Sequence, residues 1–110
     1  DTIMELRIYT DTSDRAPFTI WLDALKDIRA RAIIRARLAK VQGGNFGDCK
    51  PLRDGVQELR IDYGPGYRVY LSRQGPVVVV VLCGSDKSEQ VRAIKHAIVN
   101  LNDWKQRGKP

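Results

Sequence analysis

The sequence of 110 residues contains few of the groups that build covalent cross-links or metal centres. It has two cysteines and one histidine, and the cysteines, Cys49 and Cys83, are far apart in the chain. Structural zinc sites need about four such ligands at short spacings, and disulfide frameworks need paired cysteines. We therefore expect no metal and no cofactor, and we interpret both thiols as structural.

The sequence also has no long hydrophobic run. The longest, Val77 to Cys83, is much shorter than the roughly 20 apolar residues that cross a bilayer, and the N-terminal residues do not resemble a signal peptide. We expect a cytoplasmic protein without membrane contact. The chain is 43% hydrophobic and 29% charged, which is typical of a globular protein, and its length predicts a single domain, 1–110.

Acidic residues are in the minority. Lys and Arg number 19 against 13 for Asp and Glu, which gives a net charge of +6. This excess favours a nucleic acid or an acidic protein as partner, although basic charge also serves solubility alone.

Hydrophobic periodicity predicts a compact α+β fold with the order β-α-α-β-β-β-α. Met4 to Tyr9 alternate as a strand, and two helices follow, the first beginning at Pro17 and the second ending at Gly43. Three strands then form a meander, and a last helix begins near Lys87, with Asp86 as its N-cap. We expect the helices on one face of a mainly antiparallel sheet, so that function is sought on the other face.

The two strands joined by the turn Gly64 to Gly66 are expected to carry cations on that open face. In the first strand, Leu59 and Ile61 must point to the core, so the alternate side chains point away from it. The same two-residue period applies to the second strand. The residues expected on the open face are Glu58, Arg60, Asp62, Arg68, Tyr70 and Ser72.

The turn sets the expected register of these two strands. A three-residue turn places Arg60 opposite Tyr70 and Asp62 opposite Arg68, so that two guanidinium groups and a phenol converge. In the alternative interpretation, Arg68 only pairs with Asp62, and Arg60 only keeps an exposed sheet face soluble. Spacing alone leaves both interpretations open.

The converging side chains suit RNA cleavage by attack of a ribose 2'-OH on the adjacent phosphate. This reaction needs a group that takes a proton, a group that gives one, and positive charge beside the phosphorane. Arg60 and Arg68 supply the charge, because a planar guanidinium binds phosphate through two N–H groups. Lys87 is the candidate base, provided that burial or neighbouring cations lower its pKa.

Other basic and aromatic residues are candidates for binding the RNA. Arg31 and Arg35 on the second helix could contact an rRNA backbone, although a solvated helix face is the simpler interpretation. His96 lies away from the buried side of the last helix, and we interpret it as a bystander. The candidate RNA-binding residues are Lys50, Arg53, Tyr70, Arg31 and Arg35.

Three blocks of the sequence resemble the RelE/ParE superfamily of toxins. They are FTIWLDALKDIRARAIIRARL, GNFGDCKPLRDGVQELRIDYGPGYRVY and LCGSDKSEQ, and together they cover nearly the whole chain. Their order and spacing resemble in particular the addiction module killer proteins, a subgroup close to HigB.

The resemblance implies a compact RelE-like fold and a type II toxin-antitoxin system. Such toxins are neutralised by an antitoxin encoded next to them, often a helix-turn-helix protein, and promoter DNA is bound through the toxin-antitoxin complex. RelE-like and HigB-like members are mRNA interferases, endoribonucleases that cut mRNA on the ribosome without a metal and so inhibit translation. By position, the catalytic residues implied are Arg68 in the GYR segment, Arg60 in the preceding strand, and Lys87 after the last strand's glycine.

Two departures from the RelE pattern leave other functions open. RelE has a second cation where Glu58 stands here, and an aromatic residue where Val91 and Arg92 stand. A ParE-like inhibitor of DNA gyrase, which binds its target without catalysis, is the first alternative. A non-toxic RNA-binding or regulatory module is the second.

Overall fold

The computed structural model describes residues 3–110 as a five-stranded sheet with three α-helices, which confirms the predicted α+β class. The predicted order omitted one strand, which is too short to show a period. The elements are β1 (Glu5–Ile8), α1 (Pro17–Ala24), α2 (Ile28–Gln42), β2 (Cys49–Pro51), β3 (Gln57–Ile61), β4 (Tyr67–Gln74), β5 (Val78–Asp86), a 3-10 turn (Lys87–Glu89) and α3 (Gln90–Gln106).

The strands lie in the order β1-β5-β4-β3-β2. β2 to β5 form an antiparallel meander, and β1 pairs in parallel with β5. The sheet is therefore mainly antiparallel, as predicted. Because β5 lies between two strands and between two helical layers, its apolar run shows no alternation.

The helices cover both faces of the sheet, which corrects the expectation of a single helical face. α1 and α2 pack on the face that carries Leu59, Val69 and Val79, whereas α3 packs on the face that carries Tyr70 and Val80. The physical reason is that β4 and β5 carry large apolar side chains on both faces, and each face needs a cover. The face expected to be open is thus largely closed by α3.

Proline and aspartate residues mark the helix starts, and those at Pro17 and Asp86 were predicted. Pro17 is the first residue of α1, and the Asp27 carboxylate accepts hydrogen bonds from the backbone N–H groups of Arg29 and Ala30 at the start of α2. Asp86 caps the last helical segment, whose first turn is 3-10 rather than α. These caps satisfy N–H groups that have no partner within the helix.

A β-bulge in β5 decides which of its side chains face each helical layer. The register shifts after Tyr70, which pairs with Cys83, because the next residue of β4 pairs with Val81. Leu82 and Cys83 consequently both pack on the α3 side. The alternation then resumes, and Gly84 faces α1.

The position of Gly84 generates a prediction about packing. A Cβ atom at Gly84 would lie 2.2 Å from Cε3 of Trp21, so a larger residue must push the indole ring and α1 away from the sheet. We predict that Gly84→Ala lowers the free energy of unfolding by about 1–3 kcal/mol, as overpacking substitutions do. Urea denaturation measures the change.

Gly43→Ala is the matched control for that substitution. Gly43 has a φ of −78°, which other residues adopt readily, and a Cβ atom there would come no closer than 3.5 Å to a neighbour. The free energy of unfolding should change by less than about 0.5 kcal/mol. Equal losses in the two variants would contradict the close packing of Trp21 on Gly84.

Candidate functional site

A cleft of about 390 Å³ opens where β3, β4 and the 3-10 turn meet. Three cations line it: Arg60 from β3, Arg68 from β4 and Lys87 from the 3-10 turn. The structure therefore brings together the three residues that the sequence selected as catalytic. Asp48 and Asp62 also line the cleft, so its lining side chains carry three positive and two negative charges.

The two arginines of the cleft are direct partners across the sheet. Arg60 pairs with Arg68, and Glu58 pairs with Tyr70. The predicted register, with Arg60 opposite Tyr70 and Asp62 opposite Arg68, was wrong. The physical reason is a longer connection over residues 62–66, which leaves Asp62 outside the ladder.

This pairing of like charges is unfavourable for the sheet itself. The Nε atoms of Arg60 and Arg68 are both buried and have no hydrogen-bond partner within residues 3–110. A buried donor without a partner costs about 1–3 kcal/mol. Both arginines are only partly buried and line the cleft, so their outer N–H groups are suited to bind an anion that has several oxygen atoms.

Glu58 is a buried carboxylate beside this arginine pair, and only 1% of its surface is exposed. Its Oε1 lies 3.4 Å from Nε of Arg60, and its Oε2 accepts a hydrogen bond of 2.6 Å from Nε2 of Gln90. Sequence reasoning placed Glu58 on the correct face but treated it only as a departure from the RelE pattern. Its contacts were missed because α3 was expected on the other face.

Arg37 supports the cleft from the opposite side of the sheet. Its guanidinium group donates to the backbone oxygen of Arg60 at 2.5 Å and to that of Phe46 at 3.1 Å. These bonds hold the loop that carries Asp48 against β3. Periodicity could not single out Arg37, because it is one of several arginines on α2.

Tyr70 does not belong to the cleft, which corrects its selection as an RNA-binding residue. It is fully buried under α3, and its hydroxyl oxygen lies 3.2 Å from Oγ of Ser85. Strand parity correctly turns Tyr70 away from α1 and α2, but α3 covers the side of the sheet to which it points. Tyr70 is therefore a core residue.

Arg31 and Arg35 also lie outside the cleft, on α2 across the sheet. Arg31 donates at 2.6 Å to the backbone oxygen of Leu25 just after α1, and Arg35 forms an exposed ion pair with Asp23 at 3.6 Å. Both side chains thus have local partners. Contact of Arg31 and Arg35 with an rRNA backbone stays a prediction, and it would involve a surface separate from the cleft.

Lys50 and Arg53 lie near the β2 edge of the sheet and do not line the cleft. Lys50 pairs with Glu58 across β2 and β3, so its exposed side chain is on the same sheet face as Arg60. Arg53 is exposed and lies 3.9 Å from Asp54. A chain bound in the cleft can therefore extend towards Lys50 without crossing the sheet.

The side chains considered as proton acceptors are both exposed. Lys87 lies exposed on the rim of the cleft, so of the two conditions given for a basic role burial is not met, whereas the neighbouring cations Arg60 and Arg68 are present. His96 lies on α3, in a separate groove with Glu89 and Arg92. His96 therefore lies outside the cleft, and the role of Lys87 as general base stays a prediction.

Two further properties concern residues 3–110. No helix in this range combines the length and the apolar character needed to cross a membrane. The same range holds no group of three or more His, Cys, Asp or Glu side chains placed to share a metal ion.

Burial of Tyr70 generates a prediction about pH. Desolvation raises the pKa of Tyr70 from 10.0 to about 12. Because the folded state favours the neutral phenol, its contribution to stability is complete below pH 10 and is lost as the pH rises to about 12. Tyr70→Phe should lose less stability over this interval than the unsubstituted protein, as measured by urea denaturation. Identical pH dependence of both proteins would contradict the burial of the phenol.

These features define a small basic α+β protein with a cation-lined cleft at one end of its sheet. The chain is 56% identical over 80 residues to an uncharacterized protein of Haemophilus influenzae, a match that covers 73% of this chain and 81% of that protein. The chain belongs to the same family as the Haemophilus protein. No protein-family model matches the chain.

Proposed function

We propose that the protein is the toxin of a type II toxin-antitoxin system and acts in the cytoplasm as a ribosome-dependent mRNA endonuclease. The observation that carries this proposal is the in-register pair of Arg60 and Arg68, two partly exposed arginines that line the cleft together with Lys87. Glu58 supplies one negative charge to this pair, and a phosphodiester offers a second one together with oxygens for the outer N–H groups of both arginines. The sequence blocks that resemble RelE-like toxins contain both arginines and Lys87.

In the proposed chemistry, a ribose 2'-OH attacks the adjacent phosphorus and its proton passes to solvent water. The bond from phosphorus to the 5'-oxygen of the next nucleotide breaks, which leaves a 2',3'-cyclic phosphate and a 5'-hydroxyl. Negative charge grows on the phosphoryl oxygens in the transition state, and the guanidinium groups of Arg60 and Arg68 stabilise it. Lys87 is at the rim, where its exposed ammonium group suits donation of a proton to the leaving oxygen better than removal of one from the nucleophile.

The proposed partners follow from the same charges. A net charge of +6 favours association with rRNA and mRNA, and equally with an acidic antitoxin segment that covers the cations. We propose a cognate antitoxin, encoded next to the toxin and carrying a helix-turn-helix, through which the complex binds promoter DNA. The RelE-like fold is part of this proposal.

The role of Arg68 generates the main prediction. Arg68→Ala removes half of the opposed pair, and we expect mRNA cleavage on ribosomes to fall by about 100-fold, as for loss of one oxyanion-stabilising donor. Growth arrest after induction should be relieved. Arg15→Ala is the matched control, because it removes an exposed arginine that does not line the cleft and should change cleavage by less than about twofold.

A second measurement separates the proposed function from its alternatives. The protein is induced without antitoxin, and mRNA ends and plasmid topology are mapped in the same culture. New mRNA ends within codons support the endonuclease. Intact mRNA with altered plasmid supercoiling would instead support a gyrase inhibitor. Such an inhibitor needs no proton acceptor, so the exposed position of Lys87 is compatible with it. Harmless induction would contradict both and support a regulatory module.

A further inference from the structure

Glu58 has the most unusual environment of any carboxylate near the cleft. It belongs to β3, lies beneath the start of α3 and is 1% exposed. A carboxylate removed from water in this way must be compensated by hydrogen bonds or a counter-charge, since burial of an isolated charge is strongly unfavourable. The partners of Glu58 therefore have to be specific.

These partners belong to two different parts of the molecule. One carboxylate oxygen accepts the hydrogen bond from Gln90, the first residue of α3, at 2.6 Å. The other oxygen lies 3.4 Å from Nε of Arg60, which faces the cleft. Glu58 thus links the start of α3 to a guanidinium group of the candidate site.

The contact at Nε leaves the outer part of the Arg60 guanidinium group available. No hydrogen bond joins its two terminal nitrogens to a side chain or backbone group within residues 3–110, and 36% of the Arg60 side chain is exposed. The negative charge of Glu58 also offsets part of the repulsion between Arg60 and Arg68. Arg60 can therefore stay beside Arg68 with its terminal N–H groups free for a ligand.

We propose that Glu58 is a positioning residue, which Gln90 holds in place and which fixes the Arg60 guanidinium group for phosphate. The effect on turnover rests on the proposed function, whereas the fixed guanidinium group is a property of the free protein. Glu58 touches no bound RNA, because α3 covers it. It acts through Arg60.

The direction in which Glu58→Gln changes activity separates a positioning role from a simple effect of charge. A carboxylate near a bound phosphate repels it, so as a mere charge Glu58 weakens binding, and Glu58→Gln would strengthen it. If Glu58 is a positioning residue, Glu58→Gln should instead slow turnover, because a misplaced guanidinium group stabilises the transition state less well. The amide of Gln matches the carboxylate in shape, so packing is retained.

The test measures two properties of Glu58→Gln. We expect kcat for mRNA cleavage on ribosomes to fall by about tenfold or more, with a smaller change in KM. In the free protein, the NMR signal of the Arg60 Nε–H group should shift and exchange with water about tenfold faster. Glu89→Gln is the matched control: it removes the same charge from an exposed residue 3.8 Å from Arg92, and both readouts should stay within about twofold.

Each outcome is decisive. Unchanged or faster cleavage together with an unchanged Arg60 signal would overturn the proposal. A second outcome is that the unsubstituted protein does not cleave mRNA, while the Arg60 signal changes in Glu58→Gln and not in Glu89→Gln. That result would support the positioning role and refute the endonuclease. If Glu58→Gln does not fold, Gln90→Ala replaces it, because that variant keeps the carboxylate and removes only its donor. The Arg60 signal must then change in the same direction.

Discussion

Two guanidinium groups held side by side across β3 and β4 impose the main constraint on this structure. Like charges in register oppose strand pairing, and here neither Nε donor has a hydrogen-bond partner within residues 3–110. The arrangement is tolerated because Glu58 brings a negative charge to the buried side of Arg60. Burial of Glu58 in turn requires α3, so the helix that completes the core also shapes the cleft.

Both layers of helices contribute to the position of Arg60. From the α2 side, Arg37 donates to its backbone oxygen, and from the α3 side, Glu58 contacts its side chain. Gln90 completes this set by fixing the carboxylate. Backbone and side chain are thus held from opposite faces of the sheet, which is the kind of preorganisation that electrostatic catalysis requires.

Much of the site was predictable because strand parity depends only on the two-residue period. Leu59 and Ile61 fix the face of Arg60, and Asp86 fixes the start of the segment that carries Lys87. The register was not predictable, because it depends on how many residues form the connection after Ile61. The place of α3 was missed for a related reason: Tyr70 is amphipathic and fits an open face as well as a buried one. The bulge at Leu82 has no periodic signal at all.

The most direct measurement of the central claim is NMR mapping of the binding of a short single-stranded RNA in which every 2'-OH is methylated, so that the proposed reaction cannot cleave it. Signals of Arg60, Arg68 and Lys87 should move together, with the turn at residues 64–66, and the shifts should weaken as salt is raised. Shifts confined to the outer face of α2, around Arg35, would contradict the assignment of the cleft as the working surface.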